Sequence, residues 1–248
     1  MRIRSVLISA VAAVSAVGAL SMPAVAAGDD VDPMIIGGHD ATETYSFMVS
    51  LQQQGSHLCG GALIKPDWVV TAAHCVQGGG DFTVRVGSND NTTGGEEAAV
   101  TKTQVHESAD LAVLQLDKQL SAAPISIAAQ SGEAGTPSRI IGWGQTCPES
   151  GCGEAPTNLQ ELDTSIVDDA GCTGIDAAGE ICTDNPNGDS GACYGDSGGP
   201  QIKGTQGNWE LIGATSRSGN GDSTCATGPS IYTDVTAFAD WINQNTGS

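Results

Sequence analysis

The sequence predicts an all-β fold that ends in one α-helix. Short runs rich in β-branched and apolar residues are separated by glycine pairs, which mark turns. No long helical pattern stands between these runs. Strands in such a pattern build a sandwich or barrels, and two packed barrels fit as well as one sandwich. The 248 residues allow one large all-β domain or two small ones.

The clearest predicted strands lie along most of the chain, at residues 47–51, 82–86, 111–116, 139–143 and 209–214. The helix is predicted near the C-terminus. Val235, Phe238, Ala239 and Ile242 recur there at the spacing of one helical face. Thr233 or Asp234 is expected to cap its first turn.

Composition and charge exclude several classes of protein. The chain has 9 Lys and Arg against 29 Asp and Glu, a formal charge of −20, with no basic run. It therefore lacks the electrostatic footprint of a nucleic-acid-binding protein, and an anionic membrane would repel it. With 39% hydrophobic and only 15% charged residues, it is expected to fold rather than to be disordered.

Residues 1–27 are predicted to be a secretory signal peptide. Arg2 and Arg4 precede an apolar stretch at 6–20, and small residues at 24–27 suit signal peptidase. Pro23 and these small residues argue against a membrane anchor. The protein is therefore expected to be secreted, extracellular and not membrane-bound. The 8 cysteines all follow the signal and fit an oxidising compartment.

Three segments carry the residue types that acyl transfer requires: 71–75 (TAAHC), 110–114 (DLAVL) and 195–200 (GDSGGP). A serine hydroxyl is a poor nucleophile at neutral pH, so a histidine must accept its proton. A carboxylate must hold that imidazole in the correct tautomer. Backbone N–H groups must stabilise the developing oxyanion, and glycines beside the serine permit close approach of a substrate.

These motifs, in the order His, Asp, Ser, resemble the chymotrypsin/trypsin-type serine protease family. The order argues against esterases, in which a GxSxG serine comes first. The resemblance runs from Ile35 to Ile242. It implies two packed six-stranded antiparallel β-barrels over residues 35–248, with the active site between them. We therefore expect a secreted, bacterial-like serine endopeptidase that is monomeric and needs no cofactor. A catalytically dead binding homologue is the competing function.

The resemblance assigns the catalytic roles residue by residue. His74 becomes the general base, Asp110 its orienting partner and Ser197 the nucleophile. The N–H groups of Gly195 and Ser197 would form the oxyanion hole. Ser216 would support Asp110 and open the segment that pairs with the substrate backbone.

Residues 35–38 (IIGG) resemble the mature N-terminus of the family. Residues 28–34 would then be a short propeptide, and the amine freed at Ile35 would pair with Asp196. Met34 precedes this cut, whereas trypsin-activated zymogens have Lys or Arg there. The alternative is that Ile35 and Ile36 simply begin the first strand.

Disulfide pairing also follows from the resemblance. It implies the bridges Cys59–Cys75, Cys172–Cys182 and Cys193–Cys225. Cys147 and Cys152 have no clear family counterpart. They flank four residues (PESG), so they are expected to pair as a small local loop.

The primary specificity pocket is predicted to be neutral. Gly191 stands at the pocket base, where trypsin-like enzymes have Asp. The remaining pocket positions are Ala192, Tyr194 at the rim, Ser216, Arg217 in place of the usual Trp, Ser218 and Ser230. A Lys or Arg side chain would lose its hydration there without a paired charge, so cleavage after apolar, medium-sized residues is expected. Alternatively, Asp189 or Asp222 bends inward and restores cleavage after Arg or Lys.

Other polar features are assigned no catalytic part. His39, His57 and His106 are predicted to be solvated or packing residues, and no metal site is expected from them. A calcium loop at 90–97, with Asp90, Glu96 and Glu97 as ligands, stays open as an alternative. Asn91 begins a glycosylation sequon. Partners are expected to be protein or peptide substrates and protein protease inhibitors.

Overall fold

A computed structural model describes residues 35–247, so the predicted signal peptide (1–27) and propeptide (28–34) lie outside the described residues. Its strands are β1 (His39–Asp40), β2 (Met48–Gln53), β3 (Ser56–Lys65), β4 (Trp68–Thr71), β5 (Phe82–Val86), β6 (Glu96–Val105), β7 (Ala112–Leu116), β8 (Ser126–Ile127), β9 (Pro137–Gly142), β10 (Gln160–Ser165), β11 (Glu180–Thr183), β12 (Pro200–Thr205), β13 (Asn208–Ser218) and β14 (Ser230–Asp234). The helix α1 spans Ala239–Thr246, and short 3-10 turns lie at Ala73–Cys75, Asp169–Gly171 and Pro186–Gly188.

The first half of the described chain forms a closed antiparallel barrel in the order β2-β3-β4-β7-β6-β5. Alternate side chains point inward, and Leu51, Val69, Val84 and Leu114 are fully buried there. Closure pairs every strand on both sides, so this barrel has no exposed sheet edge.

The second half forms a sheet whose six consecutive antiparallel strands run β10-β9-β12-β13-β14-β11, with β1 and β8 added outside them. A bridge between Ile166 and Thr183 joins the two ends of this series. The Val167 N–H donates to Cys182 O at 2.8 Å beside it. The fold of two packed barrels with a C-terminal helix is thus confirmed. The second barrel is closed where the two residues after β10 meet the end of β11.

The C-terminal helix begins later than predicted, and the predicted cap is wrong. Thr233 and Asp234 are the last residues of β14. Asp234 instead accepts hydrogen bonds from the Thr236 N–H (2.9 Å) and hydroxyl (2.6 Å), which turns the chain before the helix. Ile242 is 1% exposed and buries the inner face of α1 in the main core.

Four disulfides brace the fold: Cys59–Cys75, Cys147–Cys152, Cys172–Cys182 and Cys193–Cys225. They are the pairs expected above, and no described cysteine is free. Cys59–Cys75 ties the turn after β4 to β3. Cys193–Cys225 joins two segments that flank the cavity described below.

Candidate active site

His74 and Asp110 meet at the end of the first barrel. His74 lies in the turn that follows β4, and Asp110 lies just before β7, the strand paired with β4. The His74 Nδ1 atom is 2.8 Å from Asp110 Oδ2, and the His74 backbone N–H donates to Asp110 Oδ1 at 3.0 Å. This double contact fixes the ring and its turn together. It places the proton on Nδ1 and leaves Nε2 able to accept one.

The Asp110 carboxylate has further support from the second barrel. The Ser216 hydroxyl donates to Asp110 Oδ2 at 2.6 Å, and the Thr233 hydroxyl donates to Asp110 O at 2.9 Å. Burial alone would raise the pKa of Asp110. Hydrogen bonds from His74 and Ser216 outweigh burial and hold that pKa below its usual value. Asp110 is therefore ionised at neutral pH.

Ser197 lies in a glycine-rich turn before β12 of the second barrel. Its carbonyl accepts the Gly60 N–H at 2.8 Å, and Gly198 donates to Thr215 O at 2.8 Å. Gly198 has φ +74°, and a Cβ there would lie 2.1 Å from Thr71 Oγ1, so only glycine fits this turn. Among residues 35–247 the Ser197 hydroxyl makes no hydrogen bond to His74.

Two N–H groups of this turn are available for an oxyanion. Within the described chain, neither Gly195 N nor Ser197 N donates to a protein acceptor. Gly195 has φ +101°, a conformation that favours glycine. These are the two groups that the family resemblance places in an oxyanion hole.

His57 is a site residue that the sequence analysis missed. Its Nε2 atom donates to Gly195 O at 3.0 Å, and its Nδ1 lies 2.8 Å from the Ser50 hydroxyl. Burial lowers the pKa of His57, although the bond to Gly195 opposes this, so the neutral ring accepts at Nδ1. His57 is a packing residue as predicted, with its ring centroid 5.5 Å from that of Trp143, but the bond to Gly195 was not expected. No local pattern could reveal it, because the contact joins two different barrels.

Asp196 is fully enclosed behind the catalytic turn. Its Oδ1 accepts the Gly144 N–H at 2.7 Å and its Oδ2 accepts the Cys193 N–H at 2.9 Å. Burial raises the pKa of Asp196 to about 6, although these two bonds oppose the rise. No basic side chain of residues 35–247 forms an ion pair with it. Ile35 is 1% exposed, and Ile36 bridges to Gly191, close to this turn in sequence.

A cavity of about 280 Å³ opens beside Ser197. Six of the predicted substrate-binding residues line it: Ala192, Tyr194, Ser216, Arg217, Ser218 and Ser230. Gly191 is the exception and does not line it. A Cβ on Gly191 would stand 3.7 Å from the Ser230 hydroxyl, and the Gly191 N–H donates to Ile36 O at 2.9 Å. Ser230, its neighbour, does line the cavity.

Three charged residues near the cavity differ in whether they line it and whether their charge is paired. Arg217 donates to Glu180 Oε2 at 2.9 Å and to Gly174 O at 3.1 Å, so its charge is paired. The Glu180 carboxylate raises the pKa of Arg217 further. Asp222 lines the cavity and accepts the Thr224 N–H at 2.9 Å. Asp189 does not line it.

The proposed calcium ligands do not converge. Asp90 Oδ1 accepts from Thr92, Glu96 accepts from Ser121, and Glu97 pairs with Arg85. Among residues 35–247, one group with three metal-ligating side chains lies together, Cys59, His74 and Cys75. Its sulfurs are joined as a disulfide and so offer no thiolate.

The glycosylation sequon is not accessible in this fold. Asn91 is 7% exposed, and its Nδ2 donates to Pro156 O at 3.3 Å. In the described chain, no helix is long and apolar enough to cross a membrane.

Two barrels that meet around a His–Asp pair and a glycine-flanked serine define the chymotrypsin class of serine proteases. The Trypsin family model matches residues 35–242, and the chain belongs to this family of secreted serine endopeptidases, which hydrolyse proteins without a cofactor.

Several named proteases are similar in sequence to this chain over most of their length. The chain is 34% identical to trypsin epsilon of Drosophila erecta, covering 86% of this chain and 88% of that protein. It is 33% identical to a trypsin-like protease of Streptomyces glaucescens, covering 93% of this chain and 89% of that protein. It is 32% identical to brachyurin of Leptuca pugilator, covering 86% of this chain and 99% of that protein.

Proposed function

We propose that this protease forms an acyl-enzyme on Ser197, with His74 as general base and Asp110 as its orienting partner. The observation that carries the proposal is the hydrogen-bonded series Ser216–Asp110–His74 beside the Ser197 turn. The N–H groups of Gly195 and Ser197 lie in the same turn, and neither donates to a protein acceptor within residues 35–247.

In the first step, Ser197 Oγ bonds to the substrate carbonyl carbon while His74 Nε2 accepts the hydroxyl proton. The oxygen of the tetrahedral intermediate accepts hydrogen bonds from Gly195 N and Ser197 N. Ionised Asp110 stabilises the imidazolium. His74 then gives its proton to the leaving amine as the C–N bond breaks. Water, activated by His74, hydrolyses the acyl-enzyme in the same way and restores the serine.

Activation is proposed to follow removal of residues 28–34, when the Ile35 amine pairs with Asp196. A wholly buried carboxylate with two N–H donors and no cation in the described chain supports this, because a compensating charge would stabilise it. Cleavage after Met34 requires a protease that accepts a residue other than Lys or Arg. The mature enzyme is proposed to be an extracellular monomer that protein protease inhibitors can block.

The primary specificity is proposed to be apolar. Ala192, Ser218, Ser230 and the Cys193–Cys225 bridge line the cavity, and the Ser230 hydroxyl lies 3.7 Å from where a Cβ on Gly191 would stand. A second candidate is cleavage after Arg or Lys. Asp222 on the cavity wall favours it, and some of the relatives are named trypsins.

A panel of chromogenic tetrapeptides that differ only in the residue before the scissile bond tests this proposal. We expect the highest kcat/KM for Leu or Met. A preference for Arg that falls in Asp222→Asn would establish the second candidate instead. Labelling of Ser197 by a peptidyl phosphonate, located by mass spectrometry, tests the nucleophile. A binding homologue without catalysis would show neither turnover nor labelling.

A further inference from the structure

We propose that the small disulfide loop from Cys147 to Cys152 positions the oxyanion donor of Gly195. The inference rests on the proposed function, since it names a positioning element for that site. It starts from one contact: the Gln145 N–H donates to Tyr194 O at 2.7 Å.

That contact sets the direction of the Gly195 N–H. The carbonyl of Tyr194 and the N–H of Gly195 belong to one planar trans peptide, so they point in opposite directions. A bond that holds the carbonyl therefore holds the N–H as well. Gly195, at φ +101°, has no Cβ to restrict rotation of this peptide, so its partners must fix it.

Gln145 is in turn held by the loop. Its Nε2 donates to Glu149 O at 3.0 Å, and its Oε1 accepts the Gly151 N–H at 3.0 Å. The Gln145 side chain is thus bonded to the backbone of the loop at two points. The loop therefore restrains Gln145, the residue whose N–H donates to Tyr194 O.

The loop needs its disulfide to keep this shape. Pro148, Glu149, Ser150 and Gly151 are exposed, so little apolar burial orders them. Cys147–Cys152 closes the loop, and Pro148 O accepts the N–H of Cys225, a cavity-lining residue, at 3.0 Å. A ring this short restricts the unfolded chain little, so opening it should affect the site far more than global stability.

The test compares mature enzyme with the double variant Cys147→Ser/Cys152→Ser. Two inhibitors share one peptide sequence, an aldehyde that forms a tetrahedral adduct and the corresponding alcohol that cannot. We expect kcat to fall about 10- to 100-fold, a part of the effect of removing one oxyanion donor. The ratio of the aldehyde to the alcohol inhibition constant should rise by a similar factor. This ratio isolates the oxyanion donor from any change in the pocket.

Two further variants complete the design. Gln145→Ala keeps the disulfide and should raise the same ratio, which keeps the test valid if the double variant does not fold. Ser150→Ala, in the same loop, should change nothing. An unchanged ratio in both the double variant and Gln145→Ala overturns the inference. Failure of the parent enzyme to bind the aldehyde would instead overturn the proposed function.

Discussion

The His57 ring donates from Nε2 to the carbonyl of Gly195 at 3.0 Å, and so links the first barrel to the glycine-rich turn of the second. Gly195 O belongs to the peptide that follows the Gly195 N–H, so the bond restrains this glycine from its C-terminal side. Gln145, through Tyr194, restrains it from the other side.

His57→Ala should therefore lower kcat by about 10-fold or more, because the Gly195 N–H loses one of its two restraints. Steady-state hydrolysis of a peptide p-nitroanilide measures this. His57→Gln keeps a donor and should recover part of the rate. His39→Ala, on an exposed histidine, is the control. A kcat that is the same in His57→Ala and His39→Ala would contradict the restraint.

Substitutions of the proposed nucleophile Ser197 and of Asp110 should have much larger effects. Ser197→Ala should reduce kcat by about 10⁶, and Asp110→Asn by about 10⁴, magnitudes typical of Ser–His–Asp proteases. Asp110→Asn loses the charge that stabilises the imidazolium and favours the wrong tautomer of His74. Prolonged hydrolysis assays, on protein purified free of contaminating protease, measure the kcat of both variants. Substantial residual activity in Ser197→Ala would place the nucleophile elsewhere.

Ser216→Ala should lower kcat by about 10-fold, because Asp110 loses a charge-assisted hydrogen bond of 2.6 Å. The pKa of Asp110 should rise toward its usual value, since this bond helps to lower it. Steady-state hydrolysis of a peptide p-nitroanilide measures kcat in the variant and in the parent enzyme. Ser216→Thr retains a hydroxyl and serves as the conservative comparison. A kcat equal to that of the parent enzyme would show that Ser216 does not support Asp110.

The stability of the uncut chain should depend on pH through Asp196. Its pKa is about 6 in the fold against 3.8 for an ordinary Asp, so the fold favours the protonated form. Stability from this group is thus present below about pH 4 and lost as pH rises through about 6. The free energy of unfolding should fall by about 3 kcal/mol over this pH range.

Denaturant unfolding of a Ser197→Ala precursor between pH 4 and 7 measures this loss. A precursor that also carries Asp196→Asn should lack it. The cleaved Ser197→Ala protein should lack it too, because the Ile35 amine then pairs with the ionised carboxylate. A cleaved protein with the same loss as the precursor would argue against the activation pair.

Ser230→Gly should widen the cavity. Its hydroxyl lies 3.7 Å from where a Cβ on Gly191 would stand, so removing it opens the base. The ratio of kcat/KM for Phe over Leu before the scissile bond should rise about 10-fold, the typical discrimination of an apolar pocket for about one carbon. The peptide panel measures the ratio, and no change would place the pocket base at another residue.

Several features could be predicted because they depend on neighbours in sequence. Strand alternation, turn glycines and the motifs around His74, Asp110 and Ser197 are local patterns of residue type. The Cys147–Cys152 pair could be predicted because the two cysteines flank only four residues and have no clear counterpart in the family. The helix start was misplaced because Thr233 and Asp234 suit a cap, yet β14 pairs with β13 and takes them as its last residues.

The sequence by itself determined the all-β class and the order of the chemical motifs. Only the tertiary structure decided that His57 bonds the carbonyl of Gly195, that Glu180 pairs with Arg217 and that Ser230 lines the cavity where Gly191 does not. The physical reason is the same in each case. These side chains come from distant parts of the chain, and their partners are set by how the strands and barrels pack.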